Sequence, residues 1–121
     1  VKLVMFDLYD GIAEDFEEGW VAAASAGNSP DALFVFLMLF NSVDGTPLSE
    51  DFINLSQKQV IITSAEECED YEKYIDNPDY QIYSDEIIKS LVGKYNPDVT
   101  LEDYTELMDA FSLEWVKENA N

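Results

Sequence analysis

The sequence has 121 residues and combines 26 Asp and Glu with only six Lys, no Arg and no His, for a formal net charge of −20. This length fits one domain spanning residues 1–121, and the 47% apolar fraction distinguishes the chain from a disordered acidic tail. A surface of this sign repels phosphate and anionic lipid, which disfavours direct binding to nucleic acid or to a membrane. The expected partner is therefore a basic protein.

The N-terminal part predicts a strand followed by a helix. Residues 1–9 are rich in β-forming side chains, and Asp10-Gly11 then predicts a turn. An apolar stripe with helical spacing follows, made of Ile12, Phe16, Trp20 and Ala23. Gly27 suits the C′ position that ends such a helix.

A second helix is predicted from Ser29-Pro30-Asp31, a capping pattern, to about Ser42. It is apolar on all sides, so we expect it to be central and buried. A third helix is expected after Ser49, its cap. Residues 59–63 favour a short strand that pairs with the N-terminal strand, or instead an extension of that helix.

Three capping residues predict the helices of the C-terminal half. Ser64 with Glu67 opens a helix to about Asp76, Ser84 opens the next, and Thr100 with Asp103 opens a last one that continues through Trp115. The predicted fold class is mainly α: a compact domain of about six helices, with a small two- or three-stranded sheet possible (α+β).

The missing residue types argue against an enzyme and against a bound cofactor or metal. Without His, the common hydrolytic triads and the usual His metal ligands are excluded, and no glycine-rich phosphate loop is present. The single Cys68 favours a reducing, cytoplasmic location. The longest apolar run, residues 32–40, is too short to span a bilayer.

Two acidic motifs were tested for specific chemistry. The stretch Met5-Phe6-Asp7-Leu8-Tyr9-Asp10-Gly11 resembles the opening motif of haloacid-dehalogenase phosphatases. Its two aspartates are one residue too far apart, so we interpret Asp7 and Asp10 as strand-end and turn residues. An EF-hand loop aligned on Asp76 fails, because Gln81 occupies the glycine position and Ile87 the twelfth.

The remaining acids fall into three clusters, which predict the partner-binding residues. These are Glu14, Asp15, Glu17 and Glu18 in the first cluster, Glu66, Glu67, Glu69, Asp70, Glu72, Asp76 and Asp79 in the second, and Glu102, Asp103, Glu106 and Asp109 in the third. Asp7 and Asp10 also belong to the first cluster, and Asp98, Glu114 and Glu118 also belong to the third, although these five are not among the predicted partner-binding residues.

Like charges at i, i+4 destabilise a helix by a few tenths of a kcal/mol per pair, yet such pairs recur here. Each pair is about 6 Å apart along the helix axis, so a row of them can imitate a phosphate track. In charge and size the chain is similar to the small DNA-mimic inhibitors that phages and mobile elements use against restriction or CRISPR enzymes. The resemblance implies an inhibitor of a nucleic-acid-binding enzyme or complex.

Other interpretations stay open at this point. The clusters also fit ordinary solvated helix faces, an acidic assembly factor or chaperone for a basic partner, and an adaptation to high salt. Carboxylate pairs of the glycosidase kind are too numerous by chance to be informative. A homodimer is possible.

Overall fold

The computed structural model describes residues 1–119. Within this range the chain forms six helices and a three-stranded sheet, so the predicted fold class is confirmed. The strands are β1 (Leu3–Phe6), β2 (Val21–Ala26) and β3 (Val60–Ile62), and the helices are α1 (Ile12–Glu17), α2 (Asp31–Val43), α3 (Ala65–Tyr74), α4 (Asp85–Ser90), α5 (Leu101–Ala110) and α6 (Leu113–Asn119).

The sheet has one packed face and one open face. β2 is the central strand, parallel to β1 and antiparallel to β3. Successive side chains of a strand point to opposite faces, and the row containing Ala24 and Ile62 is buried in the core. The next row, which places Phe6 and Ile61 on either side of Ser25, leaves both large side chains exposed.

The prediction of a single helix from Ile12 to Gly27 is wrong. α1 ends at Glu17, Gly19 takes a positive φ of 79°, and the chain returns as strand β2. Alanine-rich β2 has no intrinsic strand preference, but its small side chains suit a central strand that pairs on both edges. Gly27 follows this strand instead of a helix, and a Cβ there would lie 3.1 Å from the Phe111 ring.

The second predicted helix is confirmed as α2, but its expected burial is wrong. Only one face, formed by Phe34, Leu37 and Asn41, is buried. The predicted helix after Ser49 is absent, since residues 46–59 contain no helix or strand, and the Ser49 hydroxyl instead accepts a hydrogen bond from the Asp51 N–H at 3.0 Å. The outer face of α2 therefore lacks the cover that such a helix would have given.

The capping signals of the C-terminal half are confirmed. Ser64, Ser84 and Thr100 each accept a hydrogen bond from the backbone N–H three residues ahead. The predicted continuous last helix is wrong, however, because the backbone at Phe111 leaves the helical region (φ −57°, ψ 120°) and α6 starts anew at Leu113. The predicted strand at residues 59–63 is confirmed as β3, but it pairs with β2 and not with β1.

Asn41 is a fully buried polar residue that ties α2 to the C-terminal half. Its side-chain amide donates to the Leu91 carbonyl at 2.9 Å and to the Tyr104 hydroxyl at 3.1 Å, and its Oδ1 accepts from the Gly93 N–H at 2.9 Å. Tyr104 in turn donates to the Leu91 carbonyl at 2.7 Å. Because every partner is buried or tightly packed, this network fixes the angle at which α2 lies on the core.

We predict that Asn41→Ala lowers the free energy of unfolding by about 3 kcal/mol, because it leaves the buried Gly93 N–H without a partner and creates a cavity. Tyr104→Phe should cost only about 1 kcal/mol, since the Leu91 carbonyl keeps its bond from Asn41. Urea denaturation measures both, with the exposed Asn54→Ala as a control. A loss below that of Tyr104→Phe would contradict the central role of Asn41.

Candidate acidic interface

Helix α3 brings the first and second acidic clusters together with the end of the third. α1 and α6 both pack against α3, which buries only a narrow stripe containing Cys68 and Tyr71. The acids of these three helices therefore lie on neighbouring elements. We call them the acidic surface: Glu14, Asp15, Glu17 and Glu18 at α1, Glu66, Glu67, Glu69, Asp70 and Glu72 on α3, and Glu114 and Glu118 on α6.

A groove of about 590 Å³ runs between α3 and α6. Glu66, Glu67 and Asp70 line it from α3, and Glu114 and Glu118 line it from α6. It also contains Lys117, which forms an ion pair with Asp70. The hydrogen bond from Lys117 to Asp70 raises the pKa of the lysine, and Glu66 contributes to the same effect. One lysine thus faces five carboxylates in this groove.

A smaller cavity of about 330 Å³ joins the first and second clusters at the carboxyl ends of the parallel strands. Asp7 follows β1 and Asp76 follows α3, and both line this cavity beside Tyr71. Burial, together with the negative charge of Asp76, raises the pKa of Tyr71 to about 12. Asp7 directly follows strand β1, as predicted for a strand-end residue, and it adopts a positive φ of 68° and accepts a bond from Asn28.

The third cluster is divided in space. Asp103 and Glu106 line a groove between α4 and α5, together with Ile87 and Leu91, and not the groove that contains Glu114 and Glu118. Asp103 also completes the capping box of α5 by accepting from the Thr100 N–H at 2.7 Å and the Thr100 hydroxyl at 2.9 Å. These two bonds lower its pKa. Asp103, which was predicted to bind a partner, therefore also stabilises the start of α5.

All fifteen predicted partner-binding residues are exposed or half-buried. Five have side chains that accept bonds within the chain: Asp15 from Tyr9, Glu18 from Trp20, Glu67 from Thr63, Asp70 from Lys117 and Asp103 from Thr100. Within residues 1–119, the other ten carboxylates make no side-chain hydrogen bond or ion pair: Glu14, Glu17, Glu66, Glu69, Glu72, Asp76, Asp79, Glu102, Glu106 and Asp109. None of these ten carboxylates is therefore directly paired with a cation of the described residues.

Sequence reasoning missed a second class of surface, which is apolar. The outer face of α2 exposes Val35, Phe36 and Leu39, and the open face of the sheet exposes Val4 and Phe6. The sequence signal was present in α2, whose apolar residues encircle the helix, but we interpreted it as complete burial. The absence of a second amphipathic helix to cover it could not be read from its own residues.

Residues 1–119 contain no group of three or more Cys, Asp or Glu arranged to hold a metal ion. Over the same range, no helix has both the length and the apolar character needed to cross a membrane. The chain matches no protein-family model, no curated protein and no solved structure.

We predict that Lys117→Gln lowers the urea midpoint at low salt, because it removes the single cation among the carboxylates of the α3–α6 groove. The loss should shrink in about 1 M NaCl, where the screening length is about 3 Å. Lys94→Gln removes the same charge from an exposed site outside this groove and is the matched control. Equal losses in the two variants would show that only net charge matters.

A second prediction concerns pH. Because the folded-state pKa of Asp103 is lowered, its stabilising effect is present above the unfolded pKa, about 3.9, and is lost as pH falls through the folded value. Thr100→Ala removes the hydroxyl donor, so NMR titration should show a higher Asp103 pKa. Thr105→Ala, whose hydroxyl bonds the Glu102 carbonyl, should leave that titration unchanged. The same pKa in all three proteins would contradict the capping-box explanation.

Proposed function

We propose that this chain is a non-catalytic binding protein whose acidic surface occupies the nucleic-acid-binding site of a basic protein. The observation that carries the proposal is the set of uncompensated carboxylates on adjoining helices α1, α3 and α6. Ordinary solvated helix faces usually alternate the two signs of charge, because Glu-to-Lys pairs stabilise a helix. Here one ion pair, Lys117–Asp70, is formed within residues 1–119.

The spacing of these acids supports mimicry of a phosphate backbone. Glu66 and Asp70, and likewise Glu114 and Glu118, are one helical turn apart, about 6 Å along each axis. The two rows face each other across the α3–α6 groove, which gives a two-sided track of negative charge. Lys and Arg side chains that normally contact phosphates would form charge-assisted bonds with such carboxylates.

The class of protein that fits best is an acidic inhibitor of a DNA- or RNA-binding enzyme or complex. Similarity in charge and size to the DNA-mimic inhibitors of phages and mobile elements supports a restriction or CRISPR enzyme as the target. The buried thiol of Cys68, whose pKa is raised by burial and by Glu72, is compatible with a cytoplasmic location. Association should be fast and should weaken as salt rises.

One observation favours a second function, that of an assembly factor or chaperone for a basic protein. The exposed apolar faces of α2 and of the sheet are not needed for phosphate mimicry. Apolar surface of this kind is typical of proteins that shield the interface of a partner. In this alternative the bound protein need not bind nucleic acid at all.

Competition with DNA distinguishes the two functions. The immobilised chain is used to capture proteins from a lysate of its source organism, and duplex DNA of random sequence is then applied. Under the proposed function, DNA displaces the captured protein, and the purified chain in turn inhibits DNA binding by that protein in a gel-shift assay. Capture that resists DNA, by a protein with no nucleic-acid affinity, would favour the assembly factor.

Two triple variants with the same change of charge locate the interface. Glu66→Lys, Glu69→Lys and Glu72→Lys reverse three charges of the acidic surface on α3 and should abolish inhibition of DNA binding. The fold should be retained, because these side chains have no structural bonds to lose. The control is the triple variant Glu102→Lys, Glu106→Lys and Asp109→Lys on α5. Each triple variant changes the net charge from −20 to −14. If the α3 variant inhibits DNA binding as well as the α5 control does, the interface does not lie on α3.

A further inference from the structure

The outer face of α2 is an exposed apolar surface on an otherwise highly charged protein. Val35, Phe36 and Leu39 are 65%, 61% and 62% exposed, and Val43 at the end of the helix is 81% exposed. Positions three and four apart share a face of a helix, so these side chains form one continuous stripe. Because the opposite face packs on the core through Phe34, the stripe cannot turn inward.

The segment after α2 forms a groove along the edge of this stripe that contains Val35. Leu48, Ile53 and Leu55 lie beside Val35 and Met38 around a cavity of about 470 Å³. Phe52, in the same segment, is 96% exposed. A groove lined by apolar side chains can receive the apolar face of an amphipathic helix.

The charge around this groove indicates what kind of partner it binds. The lining of the groove contains no Lys or Arg. Asp51 lines the groove itself, and Glu50 precedes it. The groove therefore has apolar walls and an acidic residue in its lining but no basic one, which is complementary to an apolar helix bordered by Lys or Arg.

A second copy of the chain fits this surface poorly. Two α2 faces packed against each other would bring the Asp51 carboxylates of both copies to one interface, and the lining of neither groove contains a lysine. Each copy also carries a net charge of −20, so long-range repulsion opposes association. An anionic lipid surface is disfavoured by the same repulsion.

We propose that the groove between α2 and residues 48–55 binds an amphipathic helix of a basic protein partner, with apolar residues on one side of that helix and Lys or Arg along its margins. The inference rests on the proposed function only in the basic character of the partner. It assigns a separate site, since none of the groove residues belongs to the acidic surface. Apolar burial at this site would supply affinity that salt does not screen.

The test uses a labelled synthetic peptide of about 16 residues, long enough to form a helix, with Leu at helical spacing and Lys elsewhere. Fluorescence anisotropy at moderate salt measures its affinity for the wild-type chain. Val35→Ser with Ile53→Ser, below called the α2 variant, should weaken binding by about tenfold or more, because both side chains line the groove and neither belongs to the buried core. A control peptide with Ser in place of Leu should bind weakly, and equally, to the wild type and to the α2 variant.

The matched control is Val4→Ser with Phe6→Ser, which removes two exposed apolar side chains from the open face of the sheet. It should bind the peptide like the wild type. The triple α3 variant should also retain peptide binding, so a failed acidic interface and a failed groove give different results. Unchanged affinity in the α2 variant, or an equal loss in the sheet variant, would overturn the proposal.

Two further outcomes would replace the partner helix with another occupant. Sedimentation that shows a dimer of the wild type and a monomer of the α2 variant would assign the groove to a second copy. Binding of the wild type to zwitterionic phosphatidylcholine vesicles, lost in the same variant, would assign it to a lipid surface. A monomer that ignores vesicles and binds the Leu–Lys peptide supports the proposal.

Discussion

Burial of large side chains around Asn41 has to offset the mutual repulsion of carboxylates that outnumber lysines by 26 to six. Tyr104, Phe34 and Phe111 are fully buried, and the edges of the Tyr83 and Tyr104 rings pack on Phe34. This interior is small, because much of the apolar content of α2 and the sheet lies outside it. The hydrogen bonds of Asn41 matter in such a core, because they fix one arrangement of α2 where apolar packing alone allows several.

The position of α3 follows from the same constraint. Its buried stripe of Cys68, Tyr71 and Ile75 is one residue wide, so nearly everything else on the helix faces solvent or a neighbouring acidic helix. Because α1 and α6 each pack along α3, acids distant in sequence become neighbours in space. The repulsion that results is a cost to stability, and folding tolerates it because most of the carboxylates on α1, α3 and α6 are exposed to solvent.

Features that depend on nearby residues could be predicted from the sequence, and features that depend on long-range contacts could not. The caps at Ser64, Ser84 and Thr100 involve bonds within four residues, so their patterns determine the start of each helix without reference to the rest of the fold. β2 could not be predicted, because an alanine-rich strand is stabilised by its two pairing partners. The acidic clusters were found by composition, but the division of the third between α5 and α6 depends on the backbone at Phe111.

The acidic surface and the apolar groove differ in what they can contribute to one partner. Exposed carboxylates act over a Debye length of about 8 Å at physiological salt, so they attract and orient a basic protein before contact. Exposed ion pairs are individually weak once formed, however, whereas burial of aromatic and aliphatic side chains slows dissociation. Val35, Ile53 and Leu55 line the groove together with Asp51, and its lining contains no basic residue. A partner that engages both surfaces would therefore combine rapid, salt-sensitive association with slow, salt-resistant release, a behaviour that neither surface produces alone.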